Sequence, residues 1–132
     1  MFVEPSALVA ILLEEPERDE FLAKIIQAER RVISIAGKIE AALSVGRSMK
    51  DYAAAADLVS EAIERLEVEV VALTPDIFED FVKCYARYGR GTGHGAKLNF
   101  GDCFSYAVAK RMTDGLILFK GGDFSRTDLT PA

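Results

Sequence analysis

Short apolar, often β-branched runs alternate along the chain with longer stretches whose apolar residues recur every three or four positions. This pattern predicts strands punctuating helices. Met1 to Val3 is apolar and runs into Glu4-Pro5, a short strand ending near Glu4. Ser6 then reads as the cap of a helix over Ala7 to Leu13, broken near Pro16 and resumed over Glu17 to Glu29. Val32-Ile33-Ser34-Ile35 is a second strand, lying between Arg30-Arg31 and Gly37. Ile39, Leu43 and neighbouring alanines carry a helix through about Val45, and Leu58, Ile63 and Leu66 mark another over Tyr52 to Leu66. Val68 to Leu73 is a third strand, and Thr74-Pro75 is a helix start, with a capping hydroxyl followed by proline at the first helical position. That helix runs to about Tyr88. Gly89 to Gly95 has four glycines and reads as a flexible loop. Asn99 opens a helix that reaches about Met112, with Asp102 in the acid position of a capping box. Leu116 to Phe119 is a last strand, followed by the turn Lys120-Gly121-Gly122-Asp123.

Strands separated by helices predict right-handed crossovers and a mostly parallel sheet covered on both faces. The fold class is α/β, and 132 residues suit one domain spanning positions 1–132. No internal repeat or low-complexity tract interrupts it.

Composition narrows the setting. Half of the residues are apolar and 28% are charged, an ordinary globular balance. The longest apolar run, Ala7 to Leu13, is far below the roughly 20 residues needed to cross a bilayer. No basic residue precedes it and Glu4 stands there instead, which argues against a secretory signal, and no membrane partner is expected. Cys84 and Cys103 fall in no ligand pattern and read as reduced residues of a cytoplasmic protein, buried or partly so; with His94 the only histidine, four ligands for a structural zinc are hard to assemble. The net charge of −5 is unevenly distributed. Residues 1–82 hold 8 Lys/Arg against 17 Asp/Glu, whereas residues 83–126 hold 8 Lys/Arg against 3 Asp. A basic half suggests an anionic partner for one face, although asymmetry of this size also arises without one.

Open parallel sheets bind ligands at the carboxyl ends of their strands. Glu4 ends the first strand, Asp123 follows the last, Asp102 sits at a helix N-terminus, and Glu40 lies one to two turns into the helix after the second strand. This places four acids from distant parts of the chain where they could meet at one edge. Clustered carboxylates repel one another, and a hard divalent cation such as magnesium is the usual reason for tolerating the repulsion. Taken singly, each acid reads equally well as a helix cap or a solvated surface residue.

Local motifs sharpen this. Met-Phe-Val-Glu-Pro-Ser-Ala-Leu-Val-Ala-Ile-Leu (1–12), Ile35 to Ala42 with Glu40, Leu98-Asn99-Phe100-Gly101-Asp102-Cys103-Phe104-Ser105-Tyr106-Ala107, and Leu118-Phe119-Lys120-Gly121-Gly122-Asp123-Phe124 with Arg126-Thr127-Asp128 follow one another in order. With these motifs the chain resembles, over essentially its whole length, the PIN-domain ribonucleases, specifically the VapC-type toxins of bacterial toxin–antitoxin pairs. The resemblance implies a site in which Glu4, Glu40, Asp102 and Asp123 hold Mg²⁺, with Mn²⁺ as a substitute, and hydrolyse RNA phosphodiester bonds by metal-activated water. It gives Ser6 and Thr127 the role of positioning water or substrate, beside capping or turn roles. It implies a homodimer neutralised by a VapB-type antitoxin whose basic side chain reaches the acids. Lys83, Arg87, Arg90, Lys97, Lys110, Lys120 and Arg126 are candidates for phosphate contacts. The apolar stripes Leu8, Leu12, Leu13 and Phe21, Ile25 read either as an antitoxin surface or as core.

Two departures from the family pattern stand out. Glu4 occupies the place of the usual aspartate and moves its carboxylate outward by roughly one carbon–carbon bond, ~1.5 Å. Gly122 stands where family members often carry Asp or Asn. The alternative reading is therefore a PIN protein with weakened catalysis that acts mainly in antitoxin binding and operon repression. A receiver-like phosphoacceptor ranks below both, because the chain has no acidic pair near its first strand.

Overall fold

A computed structural model describes residues 1–132. In chain order it contains β1 (Phe2–Val3), α1 (Pro5–Leu12), α2 (Arg18–Gln27), β2 (Val32–Ser34), α3 (Ile35–Met49), α4 (Tyr52–Arg65) and β3 (Glu69–Val71). There follow α5 (Ile77–Tyr88), α6 (Phe100–Met112), β4 (Leu116–Leu118), a 3-10 turn (Phe124–Arg126) and β5 (Thr130–Pro131). The strands form one sheet in the order β3-β2-β1-β4-β5, and every pairing is parallel. The expected α/β architecture is therefore present.

The two-residue period of the strands divides the core in two. Phe2, Val32 and Ile117 are in register and face one side, where they pack with Cys84, Tyr88, Leu98, Cys103 and Val108 from α5, α6 and their connection. Val3, Ile33 and Leu118 face the other side and pack with Leu8, Ile25, Ala41, Val45 and Val59 of α1 to α4. Leu8, Phe21 and Ile25 are thus core, and Leu12 and Leu13 pack against it half-buried, so this stripe offers little free surface. Both cysteines are free and buried.

Several boundaries differ from the sequence expectation for local reasons. Ile35 opens α3 instead of ending β2, because the Ser34 hydroxyl accepts a hydrogen bond from Gly37 N at 3.0 Å and caps the helix. Helix α5 begins at Ile77, not Pro75; residues 74–76 form the preceding turn, in which Thr74 O accepts from Ile77 N at 3.0 Å. Strand β5 has no strand-like sequence pattern. Thr130 and Ala132 direct their N–H groups to β4, so the N–H that Pro131 lacks would point off the sheet edge, where proline is tolerated.

Because Gly37 is buried, loss of the Ser34 hydroxyl leaves the Gly37 N–H with no water to take its place. Ser34→Ala should lower the unfolding free energy by about 1–2 kcal/mol in urea titration with an unchanged m value.

Candidate active site

All strands point their carboxyl ends to one edge, and the strand order reverses between β1 and β4, the place where parallel sheets open a ligand crevice. Glu4 N donates to Leu118 O at 2.9 Å and joins the two strand ends. Pro5 is the first residue of α1, which makes Glu4 the cap and corrects the expectation that Ser6 plays that part. Glu4 Oε2 accepts from Ser6 N at 2.7 Å and from the Ser6 hydroxyl. The same hydroxyl accepts from Lys120 N at 2.9 Å, so Ser6 ties the acid to the loop leaving β4.

Glu4 is only 4% exposed, yet it lines a cleft of about 330 Å³ whose walls also include Ser6, Glu15, Glu40, Ser44, Asp102, Lys120 and Asp123. Asp102 is held by the predicted capping box: its Oδ2 accepts from Asn99 N at 2.7 Å, while Asn99 Oδ1 accepts from Asp102 N at 3.0 Å. Glu40 reaches the cleft from α3, and Asp123 stands exposed at the head of the 3-10 turn. The structure therefore brings Glu4, Glu40, Asp102, Asp123 and Ser6 to one cleft.

Electrostatics mark the cleft as costly. Burial pushes the Glu4 carboxyl up to about 7; the Ser6 bonds oppose the shift, and Glu40 and Asp102 add to it. Glu40 is raised by burial of its carboxyl and by Asp102, against the pull of Arg47. Asp102 is raised by burial and by Asp123, against its bond from Asn99 N and the charge of Arg90. None of the four acids forms an ion pair. An all-oxygen donor set suits a hard cation such as Mg²⁺ or Mn²⁺ and not a softer metal. As they stand, no three His, Cys, Asp or Glu side chains lie close enough together to hold an ion.

Thr127 does not line the cleft. Its hydroxyl donates to Phe124 O at 2.7 Å and accepts from Leu129 N at 3.2 Å, which closes the 3-10 turn. Lys120 pairs with Glu15 at 2.7 Å and Glu17 at 2.9 Å. Lys83 pairs with Glu79, while Arg87 and Lys110 both reach Asp128. Arg90, Lys97 and Arg126 have no carboxylate partner, so of the basic candidates these three stay open to a phosphate. His94 accepts from Ala96 N at 3.1 Å and packs edge-on against Tyr88. Sequence reasoning missed Glu15 and Ser44 as lining residues. Ser44 was findable, lying one helical turn beyond Glu40; Glu15 is brought there by its long-range pairing with Lys120.

This arrangement has known counterparts. A family model for the PIN domain matches residues 1–129. A VapC ribonuclease of Rhizobium meliloti (strain 1021) is 38% identical over 97% of this chain and 98% of its own. Ribonuclease VapC30 of Mycobacterium tuberculosis (strain ATCC 25618 / H37Rv) is 38% identical over 98% of this chain and 95% of its own. The crystal structure of M. tuberculosis VapC20, described as a sarcin-ricin loop cleaving toxin, shares the fold with a TM-score of 0.76 at 21% identity, covering 98% of this chain and 95% of that one. The chain belongs to the PIN-domain family. Within it, the protein is closely related to the bacterial VapC ribonuclease toxins. No helix is long and apolar enough to cross a membrane.

Glu4 binds its proton more tightly folded, with a pKa of about 7, than at its ordinary value near 4.5. Its contribution is therefore fully present below about pH 4.5 and is lost as pH rises through 7. Metal-free protein should lose on the order of 3 kcal/mol from this group between pH 4 and pH 8. Urea denaturation in chelator should show the loss, and Glu4→Gln should flatten it; identical pH profiles for parent and variant would mean that Glu4 ionises freely.

Proposed function

We propose that this chain is a Mg²⁺-dependent ribonuclease toxin, with Mn²⁺ as a substitute, whose Glu4, Glu40, Asp102 and Asp123 hold the cation and carry the hydrolysis of RNA phosphodiester bonds. The observation that carries this reading is that four acids without ion-pair partners line the switch-point cleft, the carboxyls of Glu4, Glu40 and Asp102 each raised above its ordinary value chiefly by burial. When bound, the cation acidifies water and offsets the charge that builds on the phosphate. Ser6 holds Glu4 in place through Oε2, leaving the other carboxylate oxygen for the cleft. Asp102 is oriented by its bond from Asn99 N and stabilised in its charged form by the start of α6. Arg90, Lys97 and Arg126 take the phosphates of the RNA on either side of the cleaved bond.

A VapB-type antitoxin and a second copy of the chain complete the proposal. The acidic cleft suits a basic antitoxin side chain that displaces the cation. An apolar face supports the homodimer. It runs from Ile39 and Leu43 of α3 over Phe100 and Phe104 of α6 to Phe78 and Val82 of α5, with Phe78 69% and Phe100 67% exposed. Apolar surface of this extent commonly marks a protein interface.

Purified protein should cleave a mixed small-RNA pool with added Mg²⁺ or Mn²⁺ and not in chelator. Asp102→Asn, which keeps an acceptor for Asn99 N, should lower cleavage roughly a hundredfold or more; unchanged cleavage would remove Asp102 from the site. Sedimentation should give a dimer, with Phe100→Asp shifting it to a folded monomer, and a monomeric parent would refute the interface.

A further inference from the structure

We propose that Gly101 is a positioning residue for Glu40: its missing side chain leaves the space in which the Glu40 carboxylate rests over the first turn of α6, beside Asp102. The inference rests on the reading of the cleft as a divalent-cation site. A Cβ at Gly101 would lie 2.7 Å from Glu40 Oε2 and 3.5 Å from Glu40 Cδ. Two non-bonded heavy atoms do not share that space. The crowded atom is the far end of a flexible side chain and not backbone, so a methyl group here evicts the carboxylate and leaves the fold intact. Asn99 Oδ1, at 3.3 Å, gives by a few tenths of an ångström at most.

Conformation does not explain this glycine. Gly101 lies in the first turn of α6 and is not among the glycines with positive φ. Alanine would serve the helix better, since glycine costs more backbone entropy there. A glycine at a position where the helix itself favours alanine has its reason in the space above it, and that space is filled by Glu40. Its neighbours have other tasks: Asn99 and Asp102 form the capping box, and Phe100 points outward. Gly122, in the loop before Asp123, provides the contrast, because a Cβ there meets nothing within 4 Å.

Gly101→Ala in the full chain tests the assignment, with Gly122→Ala as control. The variant should melt at the parent temperature or higher in chelator, while its Mn²⁺ affinity by calorimetry falls about tenfold, as when the support of a metal ligand is removed. In a Glu40→Ala background the same substitution should change Mn²⁺ affinity by nothing further, because the two act through one carboxylate. A crystal structure of metal-free Gly101→Ala should show Glu40 turned away from Asp102. A carboxylate left in place, or an equal loss of affinity in the Glu40→Ala background, would overturn the proposal. A parent protein that binds no Mn²⁺ would overturn the cation reading of the cleft, and the crystal structure would still decide whether Gly101 places Glu40.

Discussion

Two hydrogen bonds hold the site together: Glu4 N to Leu118 O, and Lys120 N to the Ser6 hydroxyl. They join the exits of β1 and β4, where the sheet reverses its strand order, and so set acids from opposite ends of the chain around one cleft. Strand β1 has only two residues, and both are buried, Phe2 against the α5–α6 core and Val3 against the α1–α4 core. Its position is thus fixed by packing on both faces and by parallel pairing on both edges. That rigidity is what allows a carboxyl group immediately after it to sit almost fully buried without a cationic partner. In a looser strand the acid would swing into water and the shared electrostatic strain would relax.

The glutamate at position 4 makes physical sense in this setting. Its carboxylate turns onto the first turn of its own helix, where Oε2 accepts from both the amide and the hydroxyl of Ser6. The added methylene is therefore taken up locally, and the acid does not project unsupported into the cleft. The consequence is a group whose ionisation falls near neutral pH, because burial outweighs the two hydrogen bonds. A cation held at Glu4 as proposed would displace this proton, so its affinity would depend on pH.

Much of this was legible along the chain, for identifiable reasons. The apolar runs at Val32 and Leu116 mark strands, and the Asn99–Asp102 box marks the start of α6, because both signals are local. Pro5 was a local signal as well: proline at the first helical position makes Glu4 the cap, and the capping preference of serine obscured it. What could not be read depends on contacts across the chain. Strand β5 exists only because Thr130 and Ala132 find β4, and Lys120 is drawn to Glu15 and Glu17 by the approach of the β4 exit to the α1–α2 loop. Thr127 carries the residue type of a site hydroxyl, but the backbone of its own turn uses both its donor and its acceptor.

The distribution of local conflicts separates scaffold from function. Helix α4 follows its local signals closely: Asp51 caps it through Ala54 N, Glu61 and Arg65 pair one turn apart, and Ala55, Val59 and Ile63 form its buried stripe. The start of α6 breaks several rules within four residues. Phe100 is a large, mostly exposed apolar side chain, Gly101 occupies a helical position that favours alanine, and Asp102 is a nearly buried acid with no ion-pair partner. Phe100 and Gly101 cost the isolated chain stability, and burial of the Asp102 carboxyl offsets part of what its capping box contributes. A folded protein keeps such conflicts where a ligand or partner relieves them. All three lie at one helix end: Asp102 lines the same cleft as Glu4 and Glu40, the space above Gly101 is taken by the Glu40 carboxylate, and Phe100 lies on the apolar face beside it.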